Sequence, residues 1–157
     1  MFIRALIEFL VLPGVIAGLV PSIICYSDPW RKDGYTLGLL VMAGGLLIIL
    51  WCIRDFYNLG KGTLAPWSPP KHLVVVGLYR FCRNPMYVGV LVLVGGWALY
   101  SASPILVGYL VILIFGFHFR VILYEEPHLS KLFGTEWESY YSKVPRWLPR
   151  LRSIKIT

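Results

Sequence analysis

Four long apolar stretches constrain the fold of this chain more than any of its motifs. They cover Ala5 to Tyr26, Tyr35 to Ile53, Met86 to Tyr100 and Pro104 to Tyr124. A helix needs roughly 20 apolar residues to cross a ~30 Å hydrocarbon core, and the stretches are near that length. With 57% hydrophobic and 15% charged residues in 157, the chain carries more apolar surface than one water-soluble core would use. We therefore predict an all-α integral membrane protein, a bundle of four transmembrane helices.

The limits of the spans follow from the apolar stretches and the nearby prolines. We predict spans at about 5–26, 35–53, 85–100 and 104–124 within one membrane domain of residues 1–157. The third begins at Pro85, because proline is favoured in a first helical turn, where its missing N–H would have no intrahelical partner. The first stretch is too long for a signal peptide, and no A-x-A-like site precedes Asp28. We expect it to be a retained span.

The basic residues are distributed unevenly among the connections. Five of the 15 lie between spans two and three, and seven lie at or beyond the end of span four. Cytoplasmic segments carry the excess of Lys and Arg, so we place the loop 54–84, the segment 127–157 and both termini on the cytoplasmic side. Attraction of these segments to anionic lipid accounts for the net charge of +7, and no nucleic-acid partner is implied.

The cysteines and histidines lack the spacing of a disulfide framework or a metal site. They are Cys25, Cys52, Cys82, His72, His118 and His128. We expect no metal cofactor.

Small residues recur inside the spans, in pairs that favour close helix packing. The pairs are Gly14 and Gly18, Gly34 and Gly38, Gly44 and Gly45, and Gly95 and Gly96. In lipid, such residues let helix backbones approach each other. A nucleotide-binding glycine loop would need a preceding strand and a following soluble helix. No alternation of strands and helices is predicted here, so a nucleotide-like cofactor must bind without a Rossmann fold.

A polar, turn-forming segment runs directly into the third span. It reads Arg83-Asn84-Pro85-Met86-Tyr87-Val88-Gly89, and Gly77-Leu78-Tyr79-Arg80 precedes it. Gly77 provides a position without a side chain, where a ligand can approach main-chain N–H and C=O groups. A plain turn before the third span is the alternative interpretation. The first interpretation places cationic and polar chemistry at the membrane boundary.

A second group of ionisable residues lies near the end of the fourth span. His118, Ile122, Glu125 and Glu126 share one face of a regular helix. Ionisable groups at membrane depth are costly and usually face a protein interior or a polar cavity. Two alternatives remain open here. Arg120 can reach lipid phosphate by extending along the helix, and the glutamates can simply balance the charge of a basic face.

The segment after Glu126 has the pattern of an amphipathic surface helix. Pro127 disfavours α conformation at Glu126, so we predict that the chain bends there and folds back along the cytoplasmic membrane surface. The apolar positions of the segment recur at helical spacing. They are Leu129, Leu132, Phe133, Trp137, Tyr140 and Tyr141.

Taken in order, these residues resemble the membrane-embedded methyltransferases that include isoprenylcysteine carboxyl methyltransferase and the phospholipid N-methyltransferases. The resemblance covers roughly Leu73 to Pro149. It rests on Gly77-Leu78-Tyr79-Arg80, the segment Arg83 to Gly89, Glu125-Glu126-x-x-Leu129, Phe133-Gly134, Tyr140-Tyr141 and Val144-Pro145. Leu78 stands where many members have Pro, and Asn84 where the prenylcysteine enzymes often have His.

The resemblance implies S-adenosylmethionine as cofactor, bound between the start of the third span and the end of the fourth. It implies methyl transfer to a lipid or prenylated acceptor at the cytoplasmic membrane face, with Arg83 and Arg120 as the catalytic residues. Their guanidinium groups would orient an anionic acceptor. An amine acceptor would need a base, for which His118 is the nearby candidate. The implied cofactor-binding residues are Gly77, Leu78, Tyr79, Asn84, Pro85, Tyr87, Glu125 and Glu126.

Two other functions are compatible with parts of the pattern. Sterol reductases that use NADPH share an Arg-x-Pro-x-Tyr segment and an aromatic C-terminal stretch, but they typically show an Arg-Asp pair and more spans. A small lipid-binding membrane protein without catalytic activity is the third possibility. Binding of S-adenosylhomocysteine separates the methyltransferase from both.

Overall fold

The described part of the protein is built of helices alone. We analysed a computed structural model, which describes residues 13–55 and 73–149. The helices are α1 (Val20–Ser27), α2 (Leu37–Asp55), α3 (Pro85–Ser101), α4 (Pro104–Arg120), α5 (Glu126–Phe133) and α6 (Thr135–Lys143). π turns at Val15–Leu19 and Val121–Glu125 lead into α1 and α5, and a 3₁₀ turn at Gly77–Arg80 precedes α3. The all-α prediction is confirmed for these residues.

Two helical stretches are long and apolar enough to cross a membrane. They are Leu37–Asp55 and the continuous stretch Pro104–Phe133, and only 22% of each apolar window is buried. Most of their apolar surface therefore faces outward, which suits lipid better than a soluble core. Val15–Ser27 and Pro85–Ser101 are apolar but shorter. The predicted first span and the predicted loop 54–84 fall partly outside the described residues, and so does the segment 127–157.

Glycines form the contact between α2 and α3. A Cβ on Gly45 would lie 2.5 Å from the Leu93 nitrogen, and one on Gly38 would lie 2.5 Å from the Tyr100 nitrogen. On the facing helix, a Cβ on Gly96 would lie 2.7 Å from the Met42 nitrogen. The two backbones are thus in direct contact, as the paired glycines predict. Gly14, Gly18 and Gly44 have open space around them and do not contribute to helix contacts.

The π turn at Val15–Leu19 connects the first helical stretch to its neighbours. The indole N–H of Trp97 donates to the Ala17 carbonyl at 3.1 Å, and the Tyr109 hydroxyl donates to the Ile16 carbonyl at 2.9 Å. The wider hydrogen-bond register of a π turn leaves backbone groups available to side chains of other helices. Ala17 packs in one buried cluster with Ile49, Val90, Val94 and Phe117, so all four apolar stretches meet there.

Buried polar contacts fix the end of the bundle where α3 connects to α4. Ser103 caps α4, because its Oγ accepts from the Leu106 N–H at 3.1 Å. Its hydroxyl also donates to Asp28, and the second Asp28 oxygen accepts from the Trp30 N–H at 2.8 Å. Ala102 between the two helices has φ 44°, which gives the short connection its sharp turn.

The predicted bend at Pro127 is wrong. Glu126 is α-helical, with φ −62° and ψ −45°, and helical structure continues to Phe133. The π turn explains this, because its Glu126 N–H to Val121 carbonyl bond shifts the register of the helix just before Pro127. Proline's missing N–H is tolerated at such a change of register. The helix ends instead at Gly134, whose φ of 51° and ψ of −122° suit glycine.

The predicted amphipathic segment is divided into α5 and α6. Trp137, Tyr140 and Val144 are buried together, and Leu73, Val75, Leu129 and Phe133 pack against them. The aromatic stripe therefore covers the chain segment that leads to the Gly77–Arg80 turn, and it helps to position that turn.

Candidate active site

Three segments that are distant in sequence meet beside the first turn of α3. They are the stretch 77–87, the end of α4 with its π turn, and the stretch 145–147 that follows α6. The backbone N–H of Arg83 donates to the Pro145 carbonyl at 2.9 Å. The Asn84 side-chain amide donates to the Arg146 carbonyl at 3.1 Å. The stretch 145–147 is thus fixed along the start of α3.

The thiol of Cys82 strengthens the same contact. It lies 3.3 Å from the Arg146 carbonyl and 3.2 Å from the Trp147 carbonyl. Burial raises the pKa of the Cys82 thiol, which keeps it protonated and able to donate. Cys82 therefore acts as a structural donor rather than a nucleophile.

Glu126 joins the three segments through two arginines. Arg146 binds it with two hydrogen bonds, Nε to Oε1 at 2.7 Å and Nη2 to Oε2 at 2.8 Å. This bond to Glu126 is the main reason that the pKa of Arg146 is raised. Arg83 Nη1 lies 2.9 Å from the same Oε1. Paired guanidinium and carboxylate groups of this kind combine strength with a fixed geometry.

Arg83 is buried and only partly satisfied. Its side chain is 7% exposed, and its guanidinium lies over the rings of Tyr141, at 4.1 Å, and Trp137, at 5.8 Å. Its Nη1 is near Glu126 without the alignment of a hydrogen bond. Neither Nη1 nor Nε has a hydrogen-bond partner among the residues described. Buried donors without partners are costly, so the Nε N–H suits an anionic ligand, whereas Nη1 is already ion-paired with Glu126.

Glu125, Arg120 and Tyr87 form a second polar unit. Arg120 Nε donates to Glu125 Oε1 at 2.9 Å and to the Tyr87 hydroxyl at 3.1 Å, and that hydroxyl donates to the same Oε1. Arg120 and Glu125 are five residues apart, and the π turn between them gives the i, i+5 spacing that aligns their side chains. Arg120 is 40% exposed, so its guanidinium remains accessible from outside the cluster.

The Gly77–Arg80 turn has its own support. Val76 is extended and Gly77 has φ 52°. Tyr79 is buried with Cys52 and Val74, and its carbonyl accepts from the Tyr140 hydroxyl at 2.8 Å. Burial raises the pKa of Tyr140 well above its usual value, which keeps this hydroxyl a donor. The turn is therefore held in place by the buried Tyr79 side chain and by the Tyr140 hydroxyl of α6.

The comparison with known families agrees with this geometry. A family model described as phospholipid methyltransferase matches residues 34–136, a range that includes the turn, Arg83 and both glutamates. The chain belongs to the phospholipid methyltransferase family. The reductase interpretation is thereby set aside.

Curated proteins of known name are similar to parts of this chain. The protein-S-isoprenylcysteine O-methyltransferase of Rattus norvegicus is 28% identical over 122 residues, which are 73% of this chain and 43% of the relative. A probable protein-S-isoprenylcysteine O-methyltransferase of Oryza sativa subsp. indica is 34% identical over 77 residues, 49% of this chain and 40% of the relative. The chain thus spans less than half the length of these two proteins.

A relative that is not named as a methyltransferase matches more of the chain. The nickel-cobalt-cadmium resistance protein NccN of Alcaligenes xylosoxydans xylosoxydans is 27% identical over 138 residues, 87% of this chain and 60% of the relative. No solved structure matches the chain. Within residues 13–55 and 73–149, no three His, Cys, Asp or Glu side chains lie close enough together to hold a metal ion.

The structure brings most of the predicted site residues of this family member together, but it gives them different surroundings. Arg83, Tyr87, Arg120, Glu125 and Glu126 form the two ion-paired units. Asn84 and Pro85 hold the segments in place, since the Asn84 amide binds a carbonyl and Pro85 is buried at the start of α3. Tyr79 is buried in the core below the turn, and the partly buried Leu78 packs against it. Gly77 stands at the turn itself.

Two residues of the site were missed by the sequence analysis. Arg146 directly follows Val144-Pro145 in the motif that carries the family resemblance, but it was given no role in the site. Trp147 donates from its indole N–H to His118 Nδ1 at 3.2 Å. A Pro-Arg-Trp sequence after an amphipathic helix is a signal that could have identified both.

Proposed function

We propose that this protein transfers a methyl group from S-adenosylmethionine to an anionic lipid or prenylated acceptor at the membrane surface. The observation that carries the proposal is the pair of ion-paired units, Arg83–Glu126–Arg146 and Arg120–Glu125–Tyr87, at the start of α3. They place cationic and acidic groups side by side where two apolar helices end. The acceptor class is supported by the names of the related protein-S-isoprenylcysteine O-methyltransferases.

The residues present fit a zwitterionic methyl donor. Arg83 offers a buried Nε N–H without a hydrogen-bond partner among the described residues, and this donor suits a carboxylate. Glu125 and Glu126 suit an ammonium group or ribose hydroxyls, and the backbone at Gly77 and Leu78 suits close approach of the nucleoside. S-adenosylmethionine, when bound, supplies a sulfonium methyl group that transfers by in-line displacement. The chain then needs no covalent nucleophile, since alignment and exclusion of water provide the catalysis.

The two arginines differ in what they can reach. Arg120 is 40% exposed and faces the outside of the cluster, so we assign it to the acceptor. Arg83 is buried over Tyr141 and pairs with Glu126, so we assign it to holding Glu126 in place and, through its Nε, to the methyl donor. In both cases the neighbouring glutamate fixes the guanidinium in place, which reduces the entropy lost when an anion binds.

The state of the possible bases favours an acceptor that is already ionised. His118 Nδ1 already accepts a hydrogen bond from the Trp147 indole N–H. Glu125 and Glu126 already accept hydrogen bonds from Arg120 and Arg146, so none of the three is free to take a proton from an acceptor. A carboxylate acceptor needs no proton removal, whereas an amine does. We therefore assign carboxyl methylation rather than N-methylation.

The test is transfer of labelled methyl from S-adenosylmethionine by the detergent-purified full chain. A farnesylated cysteine with a free carboxylate and phosphatidylethanolamine are offered in parallel. We expect label in the methyl ester of the prenylcysteine and none in the phospholipid. Label in the amine alone would refute the carboxylate assignment, and absence of both transfer and S-adenosylhomocysteine binding would refute the methyltransferase proposal.

A further inference from the structure

Asp55, the last residue of α2, carries a buried carboxylate that is only half satisfied. Its side chain is 7% exposed. Oδ1 accepts from Arg54 Nε at 3.2 Å and from Arg54 Nη2 at 2.9 Å. Oδ2 has no hydrogen-bond partner among the residues that the structure describes. The Arg54 side chain is 62% exposed, so this ion pair is solvated and contributes little.

The free oxygen is directed at the Gly77 turn. A Cβ built on Gly77 would collide with Asp55 Oδ2 and would lie 3.1 Å from the Trp51 indole nitrogen. The carboxylate oxygen therefore occupies the position that a side chain would take at residue 77. Glycine is required here for two reasons, the positive φ and this close approach. The buried Asp55 Oδ2 thus lies directly against the turn.

We propose that Asp55 is a further cofactor-binding residue, which accepts a hydrogen bond from a ribose hydroxyl of the methyl donor held at the Gly77 turn. The inference rests on the function proposed above. The sequence pattern alone gave Asp55 no role in the site. The sequence placed the site between the start of α3 and the end of α4, and Asp55 adds the end of α2 to it.

Charge and chemistry favour a ribose hydroxyl over the ammonium group. Both Arg54 donors bind Asp55 Oδ1, so one acceptor oxygen remains, which suits a single hydroxyl donor. An acidic side chain that binds ribose hydroxyls is a recurring solution in nucleotide sites of other folds. A purely structural carboxylate would instead be expected to use both oxygens within the protein.

The experiment compares two protein variants and two ligands by calorimetric titration of the full chain in detergent. Asp55→Asn should lower the affinity for S-adenosylhomocysteine at least tenfold, because a hydrogen bond to a charged group is lost. Arg54→Gln, the matched control, should stay within threefold of the wild type. Two S-adenosylhomocysteine analogues, one lacking the 2′-hydroxyl and one lacking the 3′-hydroxyl, should bind the wild type less tightly than the natural ligand. For the analogue that lacks the hydroxyl bound by Asp55, Asp55→Asn should cause no further loss of affinity.

Three results would overturn the inference. One is wild-type affinity in folded Asp55→Asn, with folding checked by thermal unfolding. Another is an equal loss for the natural ligand and both deoxy analogues. If Asp55→Asn does not fold, the wild type alone decides, since equal binding of both analogues and the natural ligand excludes the ribose contact. A wild type that binds no S-adenosylhomocysteine would refute the proposed function itself, and the Asp55 role with it.

Discussion

Arg120 and Glu125 are separated by five residues, and the π turn between them brings Arg120 Nε to 2.9 Å from Glu125 Oε1. In a regular α-helix, residues at this spacing diverge around the axis, whereas residues three or four apart are neighbours. The same turn presents Glu125 to the Tyr87 hydroxyl on α3. A local departure from α geometry therefore forms one of the two ion-paired units of the site.

Arg120→Lys should separate turnover from cofactor binding. Lysine keeps the charge but loses the planar guanidinium, which contacts Glu125 and Tyr87 while leaving further N–H groups for the acceptor. We expect kcat to fall roughly 10- to 100-fold, with S-adenosylhomocysteine affinity within about threefold of wild type. Initial rates and calorimetry measure the two quantities. If Arg120→Lys keeps the wild-type turnover, Arg120 contacts lipid phosphate and does not orient the acceptor.

Tyr87→Phe should lower turnover because it removes a hydroxyl that both donates to Glu125 and accepts from Arg120. We expect roughly a tenfold loss of kcat, equivalent to one hydrogen bond of about 1.4 kcal/mol. Tyr109→Phe is the matched control, since that hydroxyl binds the Ile16 carbonyl away from the site. Equal activity losses in the two variants would show that Tyr87 acts through stability alone.

Glu126→Gln should destabilise the fold by roughly 3 kcal/mol, because it leaves Arg83 and Arg146 without their shared counter-ion. Denaturant unfolding in detergent measures the change in free energy. Glu138→Gln on the exposed side of α6 is the control, and there we expect no measurable change. If both variants unfold alike, the Glu126 unit does not hold the three segments together.

Gly45→Ala and Gly44→Ala are neighbouring substitutions with opposite expected results. An added methyl group at Gly45 meets the α3 backbone at 2.5 Å, so the helices must separate and stability should fall by several kcal/mol. Gly44 faces open space, and alanine there should be neutral or stabilising by up to about 1 kcal/mol. Thermal unfolding of the pair provides the comparison. Similar midpoints would contradict the close α2–α3 contact.

Cysteine labelling tests the proposed cytoplasmic location of the site. Lys32 and Lys131 are exposed, one beside the α3–α4 connection and the other on α5. In sealed vesicles, a membrane-impermeant thiol reagent should reach single cysteines at these positions from opposite sides. The natural cysteines are buried, so their background should be low. Labelling of both positions from the same side would reject the four-span topology.

Much of the site could be predicted because its chemistry is concentrated in short segments. The sequence places Arg83 and Tyr87 at the start of one helix and Arg120 to Glu126 at the end of the next. A short uncharged connection makes adjacent antiparallel helices the simplest arrangement. The paired glycines likewise predict close packing, which the structure confirms at Gly38, Gly45 and Gly96.

The remaining features depend on contacts that a linear pattern does not contain. Pro127 is an unfavourable residue within a helix, and only the π turn ahead of it allows the helix to continue. Asp55 and Arg146 look like ordinary charged residues of a basic loop and tail until folding brings them to Gly77 and Glu126. Their roles arise from tertiary structure, where the cost of an unpaired buried charge decides the partners.

The hydrogen bonds that tie residues 82–84 to residues 145–147 also set an order of events during synthesis. The donors at Cys82, Arg83 and Asn84 are made about sixty residues before the carbonyls that they bind. At 5–20 residues per second, the start of α3 therefore waits for seconds on the ribosome with these groups unpaired. A nascent chain stopped before residue 145 would contain the turn and both glutamates, yet lack the carbonyls that hold the start of α3. Activity should thus begin abruptly once residues 145–147 are added, rather than increase gradually with chain length.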